Sequence, residues 1–192
     1  TDEEVDQVCE SIRKIKEETN IEVCFSFGLL KEEQLRKVRE AGATRAHCNL
    51  ETSRRYFPEI CTTHTYDQKI ETLKAAVAAG LSICSGGIMG LGETLEDRVD
   101  MVLTAKELGV KSVPVNFLNP IPGTPYEDNK PLTDEEARQC VAVFRFIIPD
   151  ASIRLAGGSP DDLLRDLTIG FTITKEKSAS RAVPMLPFPA TC

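Results

Sequence analysis

The chain has 192 residues, enough for one domain with a substantial core, and 41% of them are hydrophobic, a little below the usual globular range. Its formal net charge of -7 has the same sign as nucleic acid and anionic membrane, which argues against non-specific attraction to either. No apolar run nears the roughly 20 residues that span a bilayer, and the opening TDEE is not the basic-then-apolar start of an export signal, so a soluble chain of the cytoplasm, or of an organelle matrix in a eukaryote, is expected.

The first segment sets Val5, Val8, Ile12 and Ile15 at spacings of three and four, which predicts an amphipathic helix over 2–19. A short apolar run over 21–25 suits a strand, and a second helix over 31–40 stops at Ala41 and Gly42. The pattern then repeats: strand 45–50, loop 51–61 and helix 66–79 closed by Gly80, then strand 81–89 and helix 95–108 closed by Gly109. Strand 111–117 leads through the proline-rich loop NPIPGTP (119–125), and TDEE (133–136) supplies an N-cap and an acidic first turn for helix 135–146. A last strand covers 151–155.

Alternating strands and helices with near-continuous apolar strands predict parallel βαβ units, an α/β fold. Five such strands are too few for a (β/α)8 TIM-type barrel of about 250 residues, yet long loops follow them as they follow barrel strands, so a partial barrel is expected. Residues 1–169 are assigned to this barrel domain and 170–192 to an irregular tail, where the polar stretch 171–181 and three prolines within 183–189 break the pattern. Open strand edges on such a partial barrel predict aggregation or oligomerisation, a homodimer included.

Seven scattered cysteines (Cys9, Cys24, Cys48, Cys61, Cys84, Cys140, Cys192) fit reduced thiols better than a disulfide framework. No Cys-x2-Cys pair occurs, so any metal must be gathered from distant strands. Cys24 and Cys84 lie on separate predicted strands, where two thiolates can bind a soft metal or cluster or simply be buried. Arg154 sits among apolar residues on the last strand, where a buried charge needs a partner, be it an ion pair or a ligand. SGGIMGLGET (85–94) places four glycines at a strand end ahead of a helix, as a ligand loop or a tight turn does. Asn49 and Glu51, two apart, would face one side of a strand, and Asn116 is a lone amide in an apolar strand; each is a candidate ligand contact or a satisfied core amide. His47 and His64 lack the spacing of a histidine metal site.

The motifs NLETS (49–53), ICTTHTY (60–66), VPVNFLNP (113–120) and IRLAGG (153–158), with the glycine loop after Cys84, resemble the biotin synthase family in content, order and spacing over residues 1–169. The resemblance implies a radical S-adenosylmethionine enzyme on a (β/α)8 barrel that inserts sulfur into dethiobiotin in biotin biosynthesis, with an electron donor protein of flavodoxin or ferredoxin type. It implies that Cys24, Cys84 and Arg154 are three of the four ligands of a [2Fe-2S] cluster, the fourth being a cysteine without counterpart here. It further implies that Asn49 and Glu51 contact S-adenosylmethionine, that Ile88 and Leu91 line its adenine pocket, and that Asn49, Asn116 and His47 contact the substrate. No residue of this chain is implied in covalent catalysis.

Three departures stand out. The Cys-x3-Cys-x2-Cys motif that holds the family's [4Fe-4S] cluster is absent from the 192 residues, so this chain alone is expected to be inactive. AHC (46–48) replaces the family's usual Tyr-Asn-His, which puts His47 where a substrate-contacting Asn is usual. The segment after Leu167 does not resemble the family's last unit. A related radical enzyme acting on another small molecule, or a catalytically dead binding fragment, are the competing readings.

Overall fold

The computed structural model describes residues 1–156, and the expected tail of 170–192, with its boundary at 169, lies outside the described residues. Six parallel strands form one sheet in the order β1-β2-β3-β5-β4, with β6 against β5. They are β1 (Val23–Phe25), β2 (Ala43–His47), β3 (Ser82–Cys84), β4 (Gly87–Met89), β5 (Ser112–Phe117) and β6 (Ser152–Leu155). The helices are α1 (Asp2–Glu18), α2 (Glu32–Glu40), α3 (Phe57–Ile60), α4 (Tyr66–Ala78), α5 (Leu95–Glu107) and α6 (Asp134–Ile147). Two differences from the expected elements matter: the third strand is broken in two, and the loop after β2 contains the short helix α3.

Helix starts follow from threonine chemistry. Thr1, Thr65, Thr94 and Thr133 cap α1, α4, α5 and α6, each closed reciprocally by a side chain three residues on: Glu4, Gln68, Asp97 and Glu136. Gly80 and Gly109, at φ 80 and 76, end the αβ connections in the left-handed region, where a Cβ is strained.

The alternation of each strand sorts side chains onto two faces. In register across the sheet, Phe25, Ala46 and Ile83 form one apolar row and Val113 and Ile153 another, and all five belong to the buried core. The opposite face carries Cys24 beside Arg45 beside Ser82, and His47 beside Cys84 beside Ser112 beside Ser152. Helices therefore cover the first face, and the chemistry-bearing residues share the second.

The break between β3 and β4 falls at Ser85 and Gly86. There the chain leaving β2 runs alongside: Leu50 N–H donates to Ser85 Oγ at 3.2 Å, Glu51 N–H to the Gly86 carbonyl at 3.0 Å, and Gly86 N–H to Asn49 Oδ1 at 3.0 Å. A Cβ at Gly86 would lie 1.9 Å from the Pro114 carbonyl oxygen, and one at Gly87 2.2 Å from that of Glu51. These glycines serve close backbone packing across the sheet. Gly86→Ala should therefore lower stability by roughly 1–3 kcal/mol or more, the scale of overpacking, seen as a reduced urea midpoint; an unchanged midpoint would contradict this packing.

The loop after β2 is fastened to α5 through Asp97, which is 3% exposed. Ser53 Oγ donates to it at 2.6 Å, Arg55 Nε at 3.0 Å and Thr94 N–H at 2.8 Å. Burial opposes ionisation, but the donors Arg55, Ser53 and Thr94 outweigh it and hold the carboxyl well below the usual carboxylate range. Since the folded value is depressed, this stabilisation is complete above the unfolded pKa of about 3.9 and is lost as pH falls towards the folded value. Asp97→Asn should flatten the acid limb of the stability–pH curve below about pH 5, measured by urea melts; an equally steep limb in the variant would refute the assignment.

Candidate ligand and sulfur site

Cys84 is the centre of the polar face. Its Sγ, on a residue with 0% exposure, lies 3.2 Å from Arg154 Nη2 and 3.3 Å from His47 Nδ1, while Arg154 Nε donates to Ser112 Oγ at 2.8 Å. Burial pushes the Cys84 thiol up, but hydrogen bonds with His47 and Ser112 and the charges of His47 and Arg154 outweigh it and pull it below its ordinary value. The arrangement stabilises a thiolate, the form that ligates metal.

Arg154 itself is exposed, which corrects the expectation of a buried guanidinium seeking a partner. Its flanking residues are apolar because they face the helices or the sheet, whereas β6 pairs only with β5 among the described residues, leaving this side chain on an open face. Cys24, on β1 at the other end of the sheet, is likewise exposed. Its thiol is pushed up by packing and by the charge of Cys84, with Arg45 and Arg154 opposing. Among the described residues no three His, Cys, Asp or Glu side chains are grouped to hold a single metal ion. Two thiols carried by separate strands are soft donors of the kind that ligate iron–sulfur units.

Beyond β2 the chain is not extended. Glu51 has φ 71, so the strand alternation invoked for Asn49 and Glu51 does not apply, yet both line one cavity of about 250 Å³ with Ser26, His47, Cys48, His64 and Lys69. An adjoining cavity of about 260 Å³ is bounded by Glu51, Phe57, Cys61, Lys69, Ile88 and Leu91. Glu51 Oε2 is buried and, among the described residues, has no hydrogen-bond partner. Burial pushes the Glu51 carboxyl up, opposed by the charges of Lys69 and His47 and a hydrogen bond with Asn49. Such an oxygen has an unmet capacity to accept a hydroxyl or amino proton. Asn116 Nδ2 donates to the Gly87 carbonyl at 3.3 Å, tying this amide to the broken strand. A groove of about 470 Å³ beside α1 shares no lining residue with either cavity.

The glycine loop is held by residues not singled out from the sequence. Glu93 Oε1 accepts from Gly90 N–H at 2.8 Å and from Arg98 Nε at 2.7 Å, and Tyr56 donates to the Leu91 carbonyl at 3.0 Å. Lys69 and the Cys61–His64 contact, Sγ to Nδ1 at 3.4 Å, also escaped the sequence reading. A lysine on a helix has the look of a solvated face, and Cys61 and His64, three residues apart, meet in the turn between α3 and α4.

With this geometry established, the comparisons place the chain. The model of the Radical SAM superfamily matches residues 2–105, just over half of the chain, and that of the Biotin and Thiamin Synthesis associated domain matches 114–181. The chain belongs to the radical S-adenosylmethionine superfamily. Within it, the chain is 58% identical over 156 residues to Biotin synthase 2 of Corynebacterium diphtheriae, covering 81% of this chain and 47% of that protein. It is 59% identical over 155 residues to a Biotin synthase of Clostridium botulinum, covering 81% and 49%. The chain thus spans about half the length of the curated relatives it matches. In fold it superposes on the FeFe-hydrogenase maturase HydG from Carboxydothermus hydrogenoformans with TM-score 0.75 at 19% identity, covering 87% of this chain and 42% of that one. The sheet is accordingly part of a TIM-type barrel. No helix among the described residues is long and apolar enough to cross a membrane.

The Cys61 thiol is half-exposed; burial raises it, but Thr63, the His64 and Thr63 backbone and Lys69 bring it below its ordinary value, whereas burial raises Cys48. Iodoacetamide near pH 8 should therefore label Cys61 ahead of Cys24 and Cys48, read by peptide mass spectrometry; equal or reversed labelling would contradict this environment.

Proposed function

We propose that this chain is the substrate-side and sulfur-side portion of a biotin synthase, within a barrel domain over 1–169, in an enzyme that inserts sulfur into dethiobiotin. The observation that carries the reading is the meeting of Arg154 and Cys84 at 3.2 Å on the face shared with Cys24. This agrees with the three-residue ligand set that the family resemblance implies, and the identity to curated biotin synthases supports it further.

Cys24, Cys84 and Arg154 would hold a [2Fe-2S] cluster, with His47 and Ser112 keeping Cys84 ionised. Glu51 would accept from the ribose hydroxyls of S-adenosylmethionine, with Asn49 beside it and Ile88 and Leu91 against the adenine. These apolar walls exclude water from a site where radical chemistry is quenched by side reactions. When bound, the cofactors supply hydrogen abstraction and the inserted sulfur, and the protein supplies their placement. Asn116 would present its amide to the ureido ring of dethiobiotin, and His47, whose Nδ1 faces Cys84, would offer its other nitrogen. The [4Fe-4S] ligands are not in this sequence, so the activity belongs to the polypeptide containing it, working in the cytoplasm or an organelle matrix with a flavodoxin- or ferredoxin-like donor.

Anaerobic calorimetric titration tests the reading. The chain should take up S-adenosylmethionine, and Glu51→Ala should weaken it tenfold or more, since a hydrogen bond to a charged group is worth about 1.5–3 kcal/mol and tenfold is about 1.4. A chain that takes up neither S-adenosylmethionine nor dethiobiotin would overturn it. So would failure of the whole polypeptide, reconstituted with iron and sulfide, to form biotin from dethiobiotin.

A further inference from the structure

His47 occupies the last position of β2, in register with Cys84 at the end of β3. The strand pairing is fastened just beyond by Cys48 N–H donating to the Cys84 carbonyl at 3.1 Å. The backbone thus fixes the imidazole beside the thiol, with Nδ1 3.3 Å from Sγ. Arg154 reaches the same sulfur at 3.2 Å from β6. One buried sulfur is therefore approached by two nitrogen groups from different strands, and the His47 ring also lines the cavity that holds Asn49 and Glu51.

Resting on the iron–sulfur reading above, we propose that His47 is a positioning residue of that centre, donating Nδ1–H to the Cys84 sulfur and so limiting the electron density this sulfur gives to iron. Two observations select the donor role. Arg154 already approaches Sγ at hydrogen-bond distance, so the sulfur is placed as an acceptor in a polar setting. The His47 nitrogen meets the sulfur itself, and no third His, Cys, Asp or Glu is grouped with it among the described residues to form a separate metal site. Hydrogen bonds to ligating sulfur stabilise its negative charge and are one of the main settings of iron–sulfur reduction potential. The role would place His47 between the sulfur centre and the ligand cavity, so that a molecule bound beside Glu51 touches a group that tunes the cluster.

The test reconstitutes the whole polypeptide anaerobically with ferrous iron and sulfide, alongside His47→Leu and His47→Asn, with far-ultraviolet circular dichroism to establish that each is folded. Iron and sulfide content should be unchanged in His47→Leu. Its sulfur-to-iron charge-transfer bands should move to longer wavelength and its reduction midpoint to more negative potential. His47→Asn, whose amide can still donate, should recover part of both shifts. Unchanged bands and midpoint in a folded, iron-loaded His47→Leu would overturn the inference alone. Loss of iron from that variant would overturn it too, by making His47 a ligand. If the unsubstituted polypeptide binds no iron, the iron–sulfur reading itself fails and takes this inference with it.

Discussion

The thiol of Cys84, buried on β3 between β2 and β5 and met by both Arg154 and His47, is the contact on which the account rests. A buried thiolate is unfavourable unless neighbouring donors and positive charge offset its desolvation. Parallel register provides those neighbours here: His47 and Ser112 lie directly beside Cys84 on the flanking strands, and Arg154, one pair further along, reaches back across Ser112. A shift of one residue in any of these pairings would turn that strand's polar side chain into the helix-packed core. The two core rows, Phe25–Ala46–Ile83 and Val113–Ile153, thus protect the register, and the register assembles the sulfur site.

A second constraint shapes the cavity. The chain leaving β2 is pinned to the broken third strand through Asn49, Glu51, Ser85 and Gly86, and its continuation is locked to α5 by Asp97. Glu93 and Arg98 hold the glycine loop from the other side. Glu51 is left in a left-handed conformation with one carboxylate oxygen buried and, among the described residues, unpartnered, a strained and polar position that a structural role alone does not require. The cavity and the sulfur site share His47, so the two are parts of one surface.

Much of this was legible in the sequence because the periodicities are simple. The valine and isoleucine spacing of α1, the glycines after α4 and α5, and the apolar runs of β1 and β5 each encode an element locally, whereas β2, ATRAH, lies at 43–47 rather than the expected 45–50. The break at Ser85 and Gly86 was not legible, because it depends on how close Pro114 and Glu51 come from other strands. The helix α3 has only four residues, too few for a period to show. The exposure of Arg154 was misjudged for a related reason: apolar sequence neighbours report which face of a strand is buried against helices, not whether the opposite face is covered. Glu93 and the Cys61–His64 contact have partners only three to five residues away, but these lie in turns with no period to reveal them. The grouping of Cys24, Cys84 and Arg154 proposed above rests on the resemblance, because periodicity does not link residues on separate strands.

Counting inorganic sulfide and iron bound per chain, with Mössbauer spectra to identify the cluster, tests that claim most directly. Anaerobic reconstitution of the whole polypeptide should give a diferric, two-iron signature that is lost in Cys84→Ser and in Cys24→Ser but retained in Cys9→Ser, whose buried thiol belongs to α1. Equal iron and sulfide in all four proteins, or none in any, would contradict a sulfur centre built on this sheet.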